Sequence, residues 1–159
     1  MNHAANSKAL RLGRRSIPGQ VYSVTTTVRH RRPWFQDGSR ADLAQSALSD
    51  SQTWPGTRPL LWTLMPDHLH LLLELQSGSL SIAVGRVKAL ISRRLQSIPE
   101  GGLWQASFHD HALRREENLL KIGRYLLANP VRAGLIDEAR DWRWRGGILL
   151  DAVGLEWPE

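Results

Sequence analysis

The stretch MPDHLHLLLEL, residues 65–75, constrains this chain more than any other. Leu69, Leu71, Leu73 and Leu75 recur at every second position, the period of a strand whose successive side chains point to opposite faces. The four leucines supply an ordinary core face. His68 and His70 share the other, and imidazoles buried there without partners would cost free energy. A divalent metal ion is one partner that answers the requirement, and a pair of buried hydrogen bonds is the other. The pattern leaves both open.

The rest of the chain fits one domain around such a strand. With 159 residues, 42% of them hydrophobic, it is long enough for a sizeable core. The absence of cysteine excludes disulfides, zinc–thiolate sites and cysteine nucleophiles. VYSVTTTVRH (21–30) reads as a strand, RADLAQSALSD (40–50) as a helix, and 60–75 as a long strand region. SLSIAVGRVKALISRRLQSI (79–98) reads as a helix capped by Ser79 or Ser81. LWQASFHDHALR (103–114) suggests a short strand. REENLLKIGRYLLANPVRAGLI follows as a helix with Gly134 as its stop. The order β-α-β-α-β-α favours an α+β fold with helices packed on an antiparallel sheet. Residues 1–19 read as a flexible basic arm before a domain over 20–135, and 136–159 show no clear period. The first twenty residues lack the apolar core of a signal peptide, and no apolar run is long enough for a membrane span, so a cytoplasmic location is expected.

Twenty-one Lys and Arg against fifteen Asp and Glu give a net charge of +6 and a pI of 10.7. Such an excess suits a polyanion. The only lysines are Lys8, Lys88 and Lys121, and arginine's planar fork matches phosphates and base edges better than a point charge does. Candidate contacts are Arg11, Arg14 and Arg15 on the arm, Arg86, Lys88, Arg93 and Arg94 on the long helix, and Arg114. DWRWRGG interleaves Trp142 and Trp144 with Arg143 and Arg145, a composition suited to stacking on unpaired bases. The same alternation equally suits tryptophans closing a core while the arginines face water.

Tyr125 and Asn129 stand four apart on a helix and share a face. If that helix lies beside the histidine strand, a phenol, an amide oxygen and two imidazoles converge. Two imidazoles and one oxygen leave open positions on a divalent ion, the requirement for a catalytic metal. Each residue also has a plainer role. Tyr125 fits a half-buried aromatic, and Asn129, directly before Pro130, fits the cap of a new short helix. His109 and His111 form a second H-x-H with more polar flanks, which suggests an edge or loop; the first pair is preferred as ligands.

These motifs resemble a known family. MPDHLHLLLEL resembles the His-hydrophobic-His motif of single-tyrosine transposases. RYLLANPVRAGLI is similar to the signature helix of their REP-associated branch, and WQASFHDHALR to the segment preceding that helix. The resemblance covers roughly residues 20–135. It implies a ferredoxin-like antiparallel sheet, His68, His70 and Asn129 as ligands of Mg²⁺ or Mn²⁺, and Tyr125 as the nucleophile. It further implies single-stranded or hairpin DNA of the repetitive extragenic palindrome type as partner, and a nucleoid-associated protein, monomeric in preference to dimeric. The expected reaction joins the protein to a 5′-phosphate and releases a 3′-hydroxyl; a non-catalytic hairpin or single-strand binder is the alternative. DWRWRGG departs from the aromatic-serine pattern expected after the helix.

Overall fold

The computed structural model describes residues 16–114 and 117–154. Arg11, Arg14 and Arg15 therefore lie outside the described residues. Five strands form one sheet: β1 (Val21–Thr27), β2 (Thr57–Leu64), β3 (His68–Leu75), β4 (His109–Ala112) and β5 (Arg145–Gly146). Their spatial order is β4-β1-β3-β2-β5, with every pairing antiparallel. The helices are α1 (Gly38–Leu48), α2 (Leu80–Arg94), α3 (Leu119–Leu127), α4 (Asn129–Arg132) and α5 (Leu150–Gly154). Through β4 this is the expected ferredoxin-like β-α-β-β-α-β arrangement, and β5 extends its far edge.

The expected long strand region 60–75 is a hairpin. Met65, Pro66 and Asp67 turn the chain, and the Met65 amide donates to the His68 carbonyl at 2.8 Å. Proline and aspartate are turn residues, so the signal was present within the apolar run. The helix expected over 115–136 divides at Ala128, with Pro130 in the first turn of α4, where its missing N–H costs nothing. Gly134, at φ 72°, ends it in the left-handed conformation expected of a stop. Asp37, Ser79 and Asn118 cap α1, α2 and α3 through side-chain oxygens.

Each face of the sheet buries its own core. Tyr22, Val24, Leu69, Leu71, Leu73 and Leu75 pack under α1 and α2 against Ala44, Leu48, Val84, Val87 and Ile91. Each buried leucine contributes about 1.5–3 kcal/mol relative to exposure. On the other face Leu60, Leu61 and Leu72 meet Leu126 and Leu127 of α3 and Val153 of α5. A bulge makes this second core: register runs from Pro59↔Leu73 to Leu61↔Leu72, so Leu60 is an extra residue beside Leu61. Gly123 lets α3 lie close on the sheet, because a Cβ there would stand 2.6 Å from Leu61 Cδ1.

The segment without a clear period belongs to the fold. Leu64 N–H donates to the Trp144 carbonyl at 2.9 Å, and Trp142 Nε1 donates to the Leu64 carbonyl at 3.1 Å. Residues 16–19, the end of the stretch expected to be an arm, are tied down as well. The Gly19 amide bonds the Leu75 carbonyl at 2.6 Å, and the Ile17 amide bonds Tyr22 Oη at 3.0 Å.

Candidate active site

The histidine face is built by register. Thr25 of β1 lies opposite His70, and Thr27 opposite His68; Thr63 of β2 flanks His70 on its other side. On the outer strands His109 stands opposite Thr25 and Arg145 opposite Thr63. Opposed residues of antiparallel strands share a face. A polar row of His109, Thr25, His70, Thr63 and Arg145 therefore crosses all five strands.

The two imidazoles touch edge to face, with Nε2 to Nε2 at 2.9 Å. Asp67 Oδ1 stands 2.6 Å from His68 Nδ1, and Thr25 Oγ1 3.0 Å from His70 Nδ1. One proton arrangement satisfies the chain. His68 Nδ1–H donates to Asp67, His70 Nε2–H donates to His68 Nε2, and the Thr25 hydroxyl donates to His70 Nδ1. Asp67 is itself fixed: the Val28 amide donates to its carbonyl at 2.8 Å, and Arg31 stands 3.7 Å from its Oδ2. Burial, above all, then the neighbouring His68 and the charge of Arg132, lower His70 to a pKa of about 4. His70 is neutral at physiological pH, as a ligand must be.

The donor set fits a divalent ion. The two Nε2 atoms stand 2.9 Å apart, near enough for both to hold one divalent ion once His70 carries its proton on Nδ1 instead. A carboxylate behind one imidazole and a hydroxyl behind the other are the outer partners that orient ligating histidines. Thr63 Oγ1, fully buried beside His70, is left without a hydrogen-bond partner. Among the described residues no group of three or more His, Cys, Asp or Glu could hold a metal, so a third protein ligand drawn from them is of another type. Asn129 is the expected one, and here its oxygen is engaged: Arg132 Nη2 donates to Oδ1 at 2.6 Å, and Nδ2 donates to the Leu126 carbonyl at 2.9 Å. It makes no side-chain cap to α4.

Tyr125 is 67% exposed on α3, the helix that packs on the histidine face through Leu126 and Leu127. It is not the half-buried aromatic of the plainer reading. The Arg132 guanidinium lies 3.6 Å from the centre of its ring. Arg132 thus touches Tyr125 and Asn129, and its charge reaches His70. The second H-x-H sits on the edge strand β4 as expected, exposed, with His111 Nε2 3.1 Å from Glu117 Oε1.

The candidate phosphate contacts divide. Helix α2 covers the face opposite the histidines, and most of its basic groups are spent within the protein. Arg86 donates to the Gln52 carbonyl, Lys88 to the Gln105 carbonyl, and Arg94 to Ser46 and Asp50. Arg93 and Arg114 are exposed. Trp142, 9% exposed, follows the core reading and leaves no free face for a base. Trp144 packs against the α1 core and donates Nε1 to Asp42 Oδ1 at 2.9 Å. Arg143 pairs with the same carboxylate and lies along the Trp144 ring. Arg145 alone of that segment stands in the site row; burial lowers its pKa, which Asp141 opposes.

Sequence reasoning missed Thr25, Asp67, Arg132 and the basic loop Arg29–Arg32. That loop leaves β1 where β1 pairs His68, and its His30 and Arg31 both take left-handed backbone, at φ 59° and 51°. Four basic residues in succession after a strand were a visible signal; Arg132 lay in view within NPVR. Asp67 and Thr25 had none, because their roles depend on register.

The sheet order, the histidine pair and the exposed tyrosine on a helix over the same face define a ferredoxin-like domain of the HUH single-tyrosine class. The family model for IS200-like transposases matches residues 17–129, and the chain belongs to that family. A Haemophilus influenzae protein of the REP-associated tyrosine transposase type is 29% identical over 92 residues, covering 50% of this chain and 52% of that protein. The chain thus spans about half the length of that relative. The REP-associated tyrosine transposase of Escherichia coli K12 is 25% identical over 126 residues, covering 79% of this chain and 75% of its own. A solved REP-associated tyrosine transposase bound to a REP hairpin superposes with a TM-score of 0.70 at 21% identity, covering 91% of this chain and 86% of that one, and supports the fold. Among the described residues no helix is long and apolar enough to cross a membrane.

Proposed function

We propose that this chain is a single-strand DNA nicking and rejoining enzyme acting on hairpin-flanked DNA through a 5′-phosphotyrosine intermediate. The observation that carries it is the meeting of His68 and His70 at 2.9 Å on the sheet face that α3, bearing Tyr125, covers. In this reading His68, His70 and the oxygen of Asn129 hold Mg²⁺ or Mn²⁺. Such an ion, when bound, polarises the scissile phosphate as a Lewis acid.

The protein's own residues do the remainder. Asp67 and Thr25 fix the imidazole tautomers. Tyr125 presents its phenol to solvent, where an extended strand reaches it. The phenolic oxygen gives up its proton and attacks phosphorus, the bond to the 3′ oxygen breaks, and that oxygen leaves taking up one proton in return. Because one phosphoester replaces another, the step reverses without a nucleotide cofactor. Arg31, Arg132 and Arg145 ring the site with positive charge for the strand's backbone.

The engagement of Asn129 Oδ1 by Arg132 favours one second reading, a hairpin or single-strand binder that no longer cleaves. Incubation with hairpin-flanked single-stranded DNA and Mn²⁺, resolved under denaturing conditions, separates the two. Cleavage predicts a protein–DNA band that survives denaturation and disappears in Tyr125→Phe. A wild-type protein that shifts native gels but gives no such band is a binder.

A further inference from the structure

Among the described residues Arg132 is the side chain that joins Tyr125 to Asn129. It stands seven residues after Tyr125 and three after Asn129, two helical spacings that bring it over both. The guanidinium lies flat on the phenol ring at 3.6 Å, while one N–H goes to Asn129 Oδ1 at 2.6 Å. Its side chain is exposed. A guanidinium carries five donors in a rigid fork, so one bond to an amide leaves its capacity for a tetrahedral anion largely unused. Stacking on an aromatic fixes the plane while leaving the donor edge outward. An arginine held only for helix stability needs neither feature.

We propose that Arg132 is a catalytic residue that grips the non-bridging oxygens of the phosphate attacked by Tyr125, and that in doing so it releases Asn129. The proposal rests on the nicking reaction described above. As the phenolic oxygen bonds to phosphorus and the 3′ oxygen departs with its electron pair and a proton, negative charge grows on the equatorial oxygens. A fork already stacked on the nucleophile need only turn from Asn129 to meet that charge. The exchange also has an energetic logic. A charge-assisted bond to a phosphodiester is stronger than one to a neutral amide, so an arriving phosphate draws Arg132 away and frees the Asn129 oxygen for an ion held by His68 and His70.

The test is single-turnover formation of the covalent adduct with Mn²⁺, using wild type, Arg132→Ala and Arg132→Lys. Arg132→Ala is expected to slow adduct formation about 100- to 1,000-fold, the usual effect of removing one preorganised donor, and Arg132→Lys to recover only part of it. Tm should stay near wild type, and hairpin affinity should fall far less than the rate of adduct formation, by no more than one lost phosphate contact. Millimolar ethylguanidinium should restore much of the rate to Arg132→Ala, which a purely structural arginine would not permit. Adduct formation by Arg132→Ala within threefold of wild type would overturn the proposal and leave the nicking function standing. A large loss matched by lower Tm and unmoved by ethylguanidinium would overturn it too, making Arg132 a helix brace. If wild type itself forms no adduct, the nicking function fails and this inference falls with it.

Discussion

The two faces of the sheet both carry basic side chains and hold them differently. Under α1 and α2, Arg86, Lys88 and Arg94 give their donors to carbonyls, a hydroxyl and a carboxylate of the protein. These contacts tie α2 to Gln52, Gln105, Ser46 and Asp50, and the carboxyl of Asp50 is lowered by the Gln52 amide and by Arg94. On the histidine face Arg31 stands 3.7 Å from its carboxylate, and Arg132 rests on a ring and an amide. One set of arginines is satisfied by the fold; the other is poised at its surface. Net charge alone cannot tell them apart, so a basic pI locates no binding face.

The sharpest break between the faces is expected from the histidines. His68→Ala or His70→Ala should abolish adduct formation while hairpin affinity changes little, since ligands polarise phosphate and backbone contacts supply affinity. Arg86→Ala, on the opposite face, should leave the adduct rate near wild type. Equal losses from Arg86→Ala and His70→Ala in the same gel assay would erase the distinction.

Acid should weaken the histidine face next. His70 is lowered to about 4, by burial first and then by His68 and Arg132. The unfolded chain takes up its proton near pH 6.5, whereas the folded chain resists until about pH 4. Stability contributed by neutral His70 is therefore complete above pH 6.5 and is lost as pH falls towards 4, to a total of about 3 kcal/mol. Melting curves over that range, without added metal, should show a steeper decline for wild type than for His70→Gln.

How far the sequence foretold this contrast depends on what each feature rests on. The leucine alternation specified β3, its faces and the core it would bury, because a period of two has one reading on a strand. The H-x-H put His68 and His70 on one face of β3 and the helix motif put Tyr125 four residues before Asn129, but that α3 covers the histidine face was only a condition in that reading. The engagement of Asn129 by Arg132 could not be read, since it depends on how α4 restarts after Ala128. The hairpin at Met65–Asp67 was hidden by apolar flanks that continued across it. DWRWRGG resisted periodicity because β5 is two residues long, too short to show any, yet the tryptophan-in, arginine-out alternative described Trp142 and Arg143. Arg86, Lys88 and Arg94 looked available because their partners, Gln52, Gln105, Ser46 and Asp50, lie far away in sequence.

A smaller effect is expected behind the ligands. Thr25 Oγ1 donates to His70 Nδ1 in the proton arrangement described, and can instead accept from it when Nε2 must offer a lone pair. Thr25→Val keeps the shape and removes that exchange. Outer partners of ligating histidines are worth about 10–100-fold in metal affinity. Titration with Mn²⁺, followed by its paramagnetic relaxation, should show weaker binding in Thr25→Val with the fold intact. Unchanged affinity would mean that Asp67 alone orients the pair.

The smallest effect, and the one that tests the comparison most directly, is on salt dependence. Each arginine that contacts a phosphate displaces counterions, so its removal should reduce the slope of log affinity against log salt by about one. Arg31 is 70% exposed beside Asp67, on the loop that leaves β1 at the site. Arg94 is bound to Asp50 and Ser46 beneath the other face. Arg31→Ala should therefore flatten the slope for hairpin DNA by about one, while Arg94→Ala leaves the slope unchanged and lowers Tm slightly through its lost contacts. Binding isotherms at four or five salt concentrations resolve a change of that size. A flatter slope in Arg94→Ala would place DNA across α2 and reverse the assignment of the two faces.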